Sequence, residues 1–126
     1  MKILIPIVIG LLVMGCGKPL ISNPVVEKAI RGQISKPKGK LTEADLEKVT
    51  ILVLSSNKLT DVTGLEKLTK LEELYLGDNQ LTNVKGLEKL TQLKGLNIND
   101  TPNLTRAQIA ELKKALPKCE IYSNPK

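Results

Sequence analysis

The sequence predicts an α/β solenoid: a short stack of about four coils with parallel strands on a concave face and a helical cap at each end. Three observations predict it. In "LTKLEELYLGDNQLTNVKG", residues 68–86, Leu68, Leu71 and Leu74 keep helical steps, but Leu76 follows after two residues, as in a strand, and Gly77-Asp78-Asn79 is turn chemistry. A shift of 22 residues carries Leu52, Leu54, Asn57, Leu59, Val62 and Gly64 onto Leu74, Leu76, Asn79, Leu81, Val84 and Gly86. A further shift carries "LEKLTKLEEL" (65–74) onto "LEKLTQLKGL" (87–96), so the mixed period belongs to a repeating unit.

The shared pattern, L-x-x-L-x-L-x-x-N-x-L, resembles the leucine-rich repeat family, in particular the short class of internalin-like bacterial proteins, over residues 46–124. In each coil the L-x-L leucines point inward from a short strand, and neighbouring strands lie about 4.8 Å apart. A partial last copy places Leu116, Cys119, Ile121 and Asn124 on the spacing of Leu71, Leu74, Leu76 and Asn79, delayed by one residue in "DTPNL". This alignment predicts that Cys119 is buried like Leu52, Leu74 and Leu96. It also predicts a buried ladder of Asn57, Asn79, Thr101 and Asn124 at the turns, looser at Thr101, whose side chain offers only a hydroxyl.

The elements follow in chain order. "MKILIPIVIGLLVMGC" has one positive residue, Lys2, then an apolar run from Ile3 to Met14 that spans about 18 Å as a helix, too short for a bilayer core of roughly 30 Å. Residues 1–15 read as a signal peptide. "LVMG" before Cys16 resembles a bacterial lipobox, which implies a lipid-modified Cys16 at the start of the mature chain and a place in the cell envelope, anchored on the exported side of a membrane. Residues 16–23 read as a tether, and Asn23-Pro24 as the start of a helix with an amide cap and proline at its first position. That helix, broken by "SKPKGK", and a second short one after Thr42 form an N-terminal cap over 24–50. The repeats occupy 51–104. Thr105 and Gln108 form a capping box for "RAQIAELKKAL", whose apolar face is Ala107, Ile109, Ala110, Leu112 and Leu116; this helix and a last strand, Cys119 to Ile121, close the stack over 105–126.

Composition limits the chemistry. With no histidine, the commonest general base and metal ligand is missing, and two cysteines suffice for neither a disulfide framework nor a multi-thiolate metal site. Glu72-Glu73 are adjacent and point to different faces, and no phosphate loop or nucleophile motif is present. No catalytic residue, cofactor or metal is expected. The net charge of +6 is spread through mixed "LEK" segments without interleaved aromatics, which reads as a solvated surface and not as a nucleic-acid site.

The positions that project from the concave sheet are Ile51, Val53 and Ser55; Glu73, Tyr75 and Gly77; Gly95, Asn97 and Asn99; and Lys118, Glu120 and Tyr122, with 53, 75, 97 and 120 as one column. Both tyrosines of the chain are among them. Tyrosine suits a contact surface, and equally it suits a strand. Val53, Glu73, Tyr75, Asn97, Asn99, Glu120 and Tyr122 are the candidate contacts for an unknown protein or envelope component. A face of roughly 15 by 10 Å is small beside the 800 Å² or so that a standard interface takes from each partner, so docking is weak or also uses the caps. The rival reading is a structural envelope lipoprotein with no dedicated partner.

Overall fold

The computed structural model describes residues 20–124; the apolar leader and Cys16 lie outside the described residues. Helix α1 spans Pro24–Ile34 and α2 spans Glu43–Leu46, followed by strands β1 (Ile51–Val53), β2 (Glu73–Tyr75) and β3 (Gly95–Asn97), helix α3 (Arg106–Ala115) and strand β4 (Glu120–Tyr122). The strands form one parallel sheet in the order β1-β2-β3-β4. One coil of chain separates each strand from the next, and its convex side returns through a short 3-10 turn, Leu65–Lys67 or Leu87–Lys89, or through α3.

The core is aliphatic and repeats with the sequence. Leu52, Leu74 and Leu96 form one buried row and Leu54, Leu76 and Ile98 the next; Leu59, Leu81 and Leu104 continue the pattern at the turns. Each convex turn begins on a glycine with positive φ, Gly64 at +96° and Gly86 at +106°, a conformation that side chains disfavour. Glu66 and Glu88 reach back to accept from those glycine N–H groups at 3.0 and 2.8 Å; for Glu88 its own backbone N–H first, then that of Gly86, lowers the carboxyl pKa.

Local chemistry starts both helices of the N-terminal cap. The Asn23 side chain accepts from the N–H groups of Val25 and Val26, and α1 ends at Ser35 in the left-handed region. At α2, Thr42 and Asp45 form a reciprocal capping box. The Asp45 carboxylate also accepts from Lys36 Nζ at 2.7 Å; that bond first, then the Thr42 N–H, lowers its pKa to about 2. Ile21 corrects the tether expected over 16–23: it is 2% exposed and packs beside Gly64, while Lys67 donates to the Leu20 carbonyl at 2.7 Å. The cap therefore begins before α1.

The last coil departs from expectation. The register runs Leu52 to Leu74 to Leu96 in steps of 22 residues, but Leu96 pairs with Ile121, 25 residues on. Ile121 therefore takes the place expected for Cys119, and the strand is Glu120–Tyr122 instead of 119–121. A residue advances 1.5 Å in an α-helix, about 2.0 Å in a 3-10 turn and about 3.3 Å in extended chain, so the coil that returns through α3 needs more residues for the same width. Cys119 is half-buried before the strand, its thiol pKa raised first by burial and then by Glu120. Within α3, Ile109 and Leu112 are buried, whereas Ala107 and Ala110 are exposed.

The turn ladder is shorter than expected. Asn79 is buried: its carbonyl oxygen accepts from the N–H groups of Asn57 and Leu59, and its amide donates to the Leu54 and Leu76 carbonyls, tying two coils together. Thr101 is buried too, but its hydroxyl donates to Ile98 within its own coil at 2.7 Å. Asn57 is exposed and donates to Ser55 only two residues away. Asn124 is exposed and pairs with Asp100 through two hydrogen bonds, 2.6 and 3.0 Å. The shifted register leaves it opposite Asn99 instead of at the ladder position.

Candidate functional site

Strand alternation buries Leu52, Leu74 and Leu96 and turns their neighbours outward, giving two columns across the sheet. Val53, Tyr75, Asn97 and Tyr122 form one; Ile51, Glu73, Gly95 and Glu120 form the other. The expected column 53, 75, 97 and 120 is thus corrected at its last member. The slip is two residues, so Glu120 and Tyr122 keep the face expected of them, since only an odd slip inverts a strand. Lys118 precedes β4, and Ser55, Gly77 and Asn99 follow their strands. Asn99 is half-buried; its N–H donates to Asn97 Oδ1 at 2.9 Å, and its carbonyl accepts from the Asp78 N–H.

The apolar part of this face is well exposed: Val53 by 58%, Tyr122 by 54% and Tyr75 by 37%. The polar part is built twice. Tyr75 donates its hydroxyl to Glu73 Oε1 at 2.7 Å, and Tyr122 donates to Glu120 Oε1 at 3.1 Å. In each tyrosine the hydrogen bond to the glutamate, then its charge, raises the hydroxyl pKa, so both rings stay neutral donors. Between the pairs lies β3 with its sequence GLN, and Glu73, Tyr75, Asn97, Glu120 and Tyr122 enclose a hollow of about 280 Å³ over Gly95.

Sequence reasoning placed both Glu-x-Tyr segments outward but did not align them or single out Gly95. The signal was available: "ELY" at 73–75 and "EIY" at 120–122 repeat the same order, and only a longer last coil brings both onto the flanks of one strand. A larger hollow, about 570 Å³, runs along α1 between Pro24, Arg31 and Pro37. Its main polar group is committed, because Arg31 already donates to Glu27 and to the Lys36 and Gly39 carbonyls. Among the described residues, no group of three or more acidic, histidine or cysteine side chains is placed to hold a metal ion.

Among the described residues, a one-sheet solenoid with an aliphatic core, capped ends and an uncovered concave face defines a repeat protein of the kind generally used as a non-catalytic protein-interaction module. The chain belongs to the leucine-rich repeat family: the family model for leucine-rich repeats in two copies matches residues 47–80 and 69–114, together more than half the chain. It is internalin-like. An internalin of Listeria monocytogenes superposes with a TM-score of 0.68 at 25% identity, covering 82% of this chain and 31% of the other. Internalin C2 of Listeria monocytogenes shares the fold, with a TM-score of 0.59 at 19% identity over 82% of this chain and 57% of its own. A leucine-rich repeat protein of Leptospira interrogans matches at 36% identity and a TM-score of 0.55, over 64% of this chain and 21% of that one. The chain thus spans less than two thirds of each structure. No curated protein sequence matches it.

Proposed function

We propose that the chain is a non-catalytic binding module, held at a membrane through Cys16, that docks a protein or envelope component on its concave sheet. The observation that carries the docking reading is the column Val53, Tyr75, Asn97 and Tyr122, which exposes an aliphatic and two aromatic side chains on a face that no other element of the described residues covers. The Listeria internalin and the Leptospira protein share this fold over 31% and 21% of their chains. With so few strands here, docking is weak or is assisted by the caps. The anchoring reading rests on the short apolar run that ends at Gly15-Cys16.

A photo-reactive residue at Tyr75 in living cells tests the docking reading. The expected outcome is a discrete cross-linked partner whose affinity falls about tenfold or more in Tyr75→Ala, Tyr122→Ala, since truncating a central contact tyrosine typically costs above 1 kcal/mol. Undiminished affinity in a variant with an unchanged circular dichroism spectrum moves the contact off the sheet. Absence of any face-dependent partner favours the rival, a structural envelope lipoprotein, which the small face already suits. Cys16→Ser is expected to release the protein from membranes; persistence in the detergent-dependent fraction rejects the anchor.

A further inference from the structure

We infer that the hollow over Gly95 receives an arginine side chain presented by a protein partner, an inference that rests on the concave sheet being the docking face. Glycine weakens a strand, and a strand glycine is ordinarily explained by a turn, a bulge or a crowded backbone. At Gly95 none of these requires the glycine: its N–H shares the Glu72 carbonyl with that of Lys94, but Glu72 and Glu73 share the Thr50 carbonyl in the same way without one. The φ of Gly95 lies outside the left-handed region, and a Cβ built on it would meet nothing within 4 Å. The missing side chain serves only to keep open the space between the two Glu-Tyr pairs of β2 and β4. Those strands lie about 10 Å apart across β3, wide enough for one inserted side chain.

The chemistry of the walls specifies the occupant. In a chain of net charge +6, the four strands carry two acids, Glu73 and Glu120, and no lysine or arginine. Among the described residues, neither carboxylate has a basic partner at ion-pair distance, and the second oxygen of each accepts no protein hydrogen bond. Lys94 also lines the hollow, with its ammonium 3.7 Å from the Glu72 carboxylate. A guanidinium has donors on two edges to offer two carboxylates, and faces that stack on tyrosine rings. Its aliphatic stem lies over the bare backbone of Gly95, and Val53 beyond Tyr75 offers an apolar seat for the residue next to the arginine. A lysine ammonium is a strongly hydrated point charge and meets one carboxylate at a time.

N-acetylarginine amide, titrated into the isotope-labelled full chain and followed by the amide resonance of Gly95 and the rings of Tyr75 and Tyr122, tests the inference. Saturable shifts confined to these residues are expected, with the neutral isostere N-acetylcitrulline amide at least about tenfold weaker and the lysine amide between them. Gly95→Val should abolish the response with circular dichroism unchanged, because its side chain enters open space, and Glu73→Gln, Glu120→Gln should abolish it while leaving the hollow open. Equal responses to arginine and citrulline, equal responses to arginine and lysine, or a wild-type response in Gly95→Val would overturn the inference. If capture of a protein partner depends on Tyr75 and Tyr122 while arginine and citrulline titrate alike, the docking face stands and the arginine seat falls.

Discussion

The middle coils and the last coil do the same job with different chain. From β1 to β3 each coil returns through a three-residue 3-10 turn and the register advances by 22 residues, whereas the coil from β3 to β4 returns through the ten-residue α3 and advances by 25. The middle coils are sandwiched, so their leucines reach zero or near-zero exposure and Asn79 bonds the coil before it. Among the described residues, the last coil has a neighbouring coil on one side only. Ile121 stays partly buried, and Asn124 finds its partner at the surface in Asp100. Burial in a stack comes from neighbours on both sides, and a terminal coil replaces the missing one with a helix.

The largest expected contrast sets Leu74 against Ile121, which occupy the same row two coils apart. Leu74→Ala should cost roughly 2–5 kcal/mol through lost burial and a cavity, while Ile121→Ala should cost clearly less because its site is already partly open to water. Glu73→Ala, next to Leu74 but facing outward, should stay within about 0.5 kcal/mol. Urea midpoints measure all three, and similar losses for Leu74 and Glu73 would contradict the assigned faces.

A smaller contrast compares the asparagines. Asn79→Ala strands two N–H groups and two carbonyls between coils, a loss of about 2–3 kcal/mol, whereas Asn124→Ala removes surface bonds worth roughly 0.5 kcal/mol. Comparable urea midpoints for the two variants would show that the ladder does not tie the coils.

The smallest contrast is between the N-terminal cap and the repeats, and pH reveals it. The folded pKa of Asp45 lies at about 2, below the ordinary 3.8, so folding favours its carboxylate; that contribution is complete above about pH 4 and drains away as pH falls through about 2. The stability difference between the wild type and Asp45→Asn should shrink across that window. A difference that is constant from pH 5 to pH 2 would detach the effect from the carboxylate.

Those contrasts also explain what was legible in the sequence. The coil repeat, the inward leucines, the Thr105–Gln108 capping box and the outward face of the tyrosines follow from local pattern, whereas the Thr42–Asp45 box emerged only in the structure. Register in the last coil did not, since "LPKCEIYSN" offers two alignments of apolar residues two apart, and only the rise per residue of α3 selects Ile121 over Cys119. The Cys119 and Asn124 errors descend from that single choice. Ile21 was misread because two adjacent apolar residues, Leu20 and Ile21, in a polar stretch carry no period. The hollow at Gly95 depends on side chains from three strands meeting across the sheet, information that no single stretch of sequence contains.

The aliphatic core has an optical consequence. The chain holds no tryptophan and no phenylalanine, and both of its tyrosines stand on the concave sheet, hydrogen-bonded to glutamates. Near-ultraviolet absorption and intrinsic emission therefore originate entirely at the proposed docking face. The protein comes with two reporter dyes placed by its own sequence: a partner that seats on the sheet changes their signal directly, and one that touches only the convex side leaves it nearly silent.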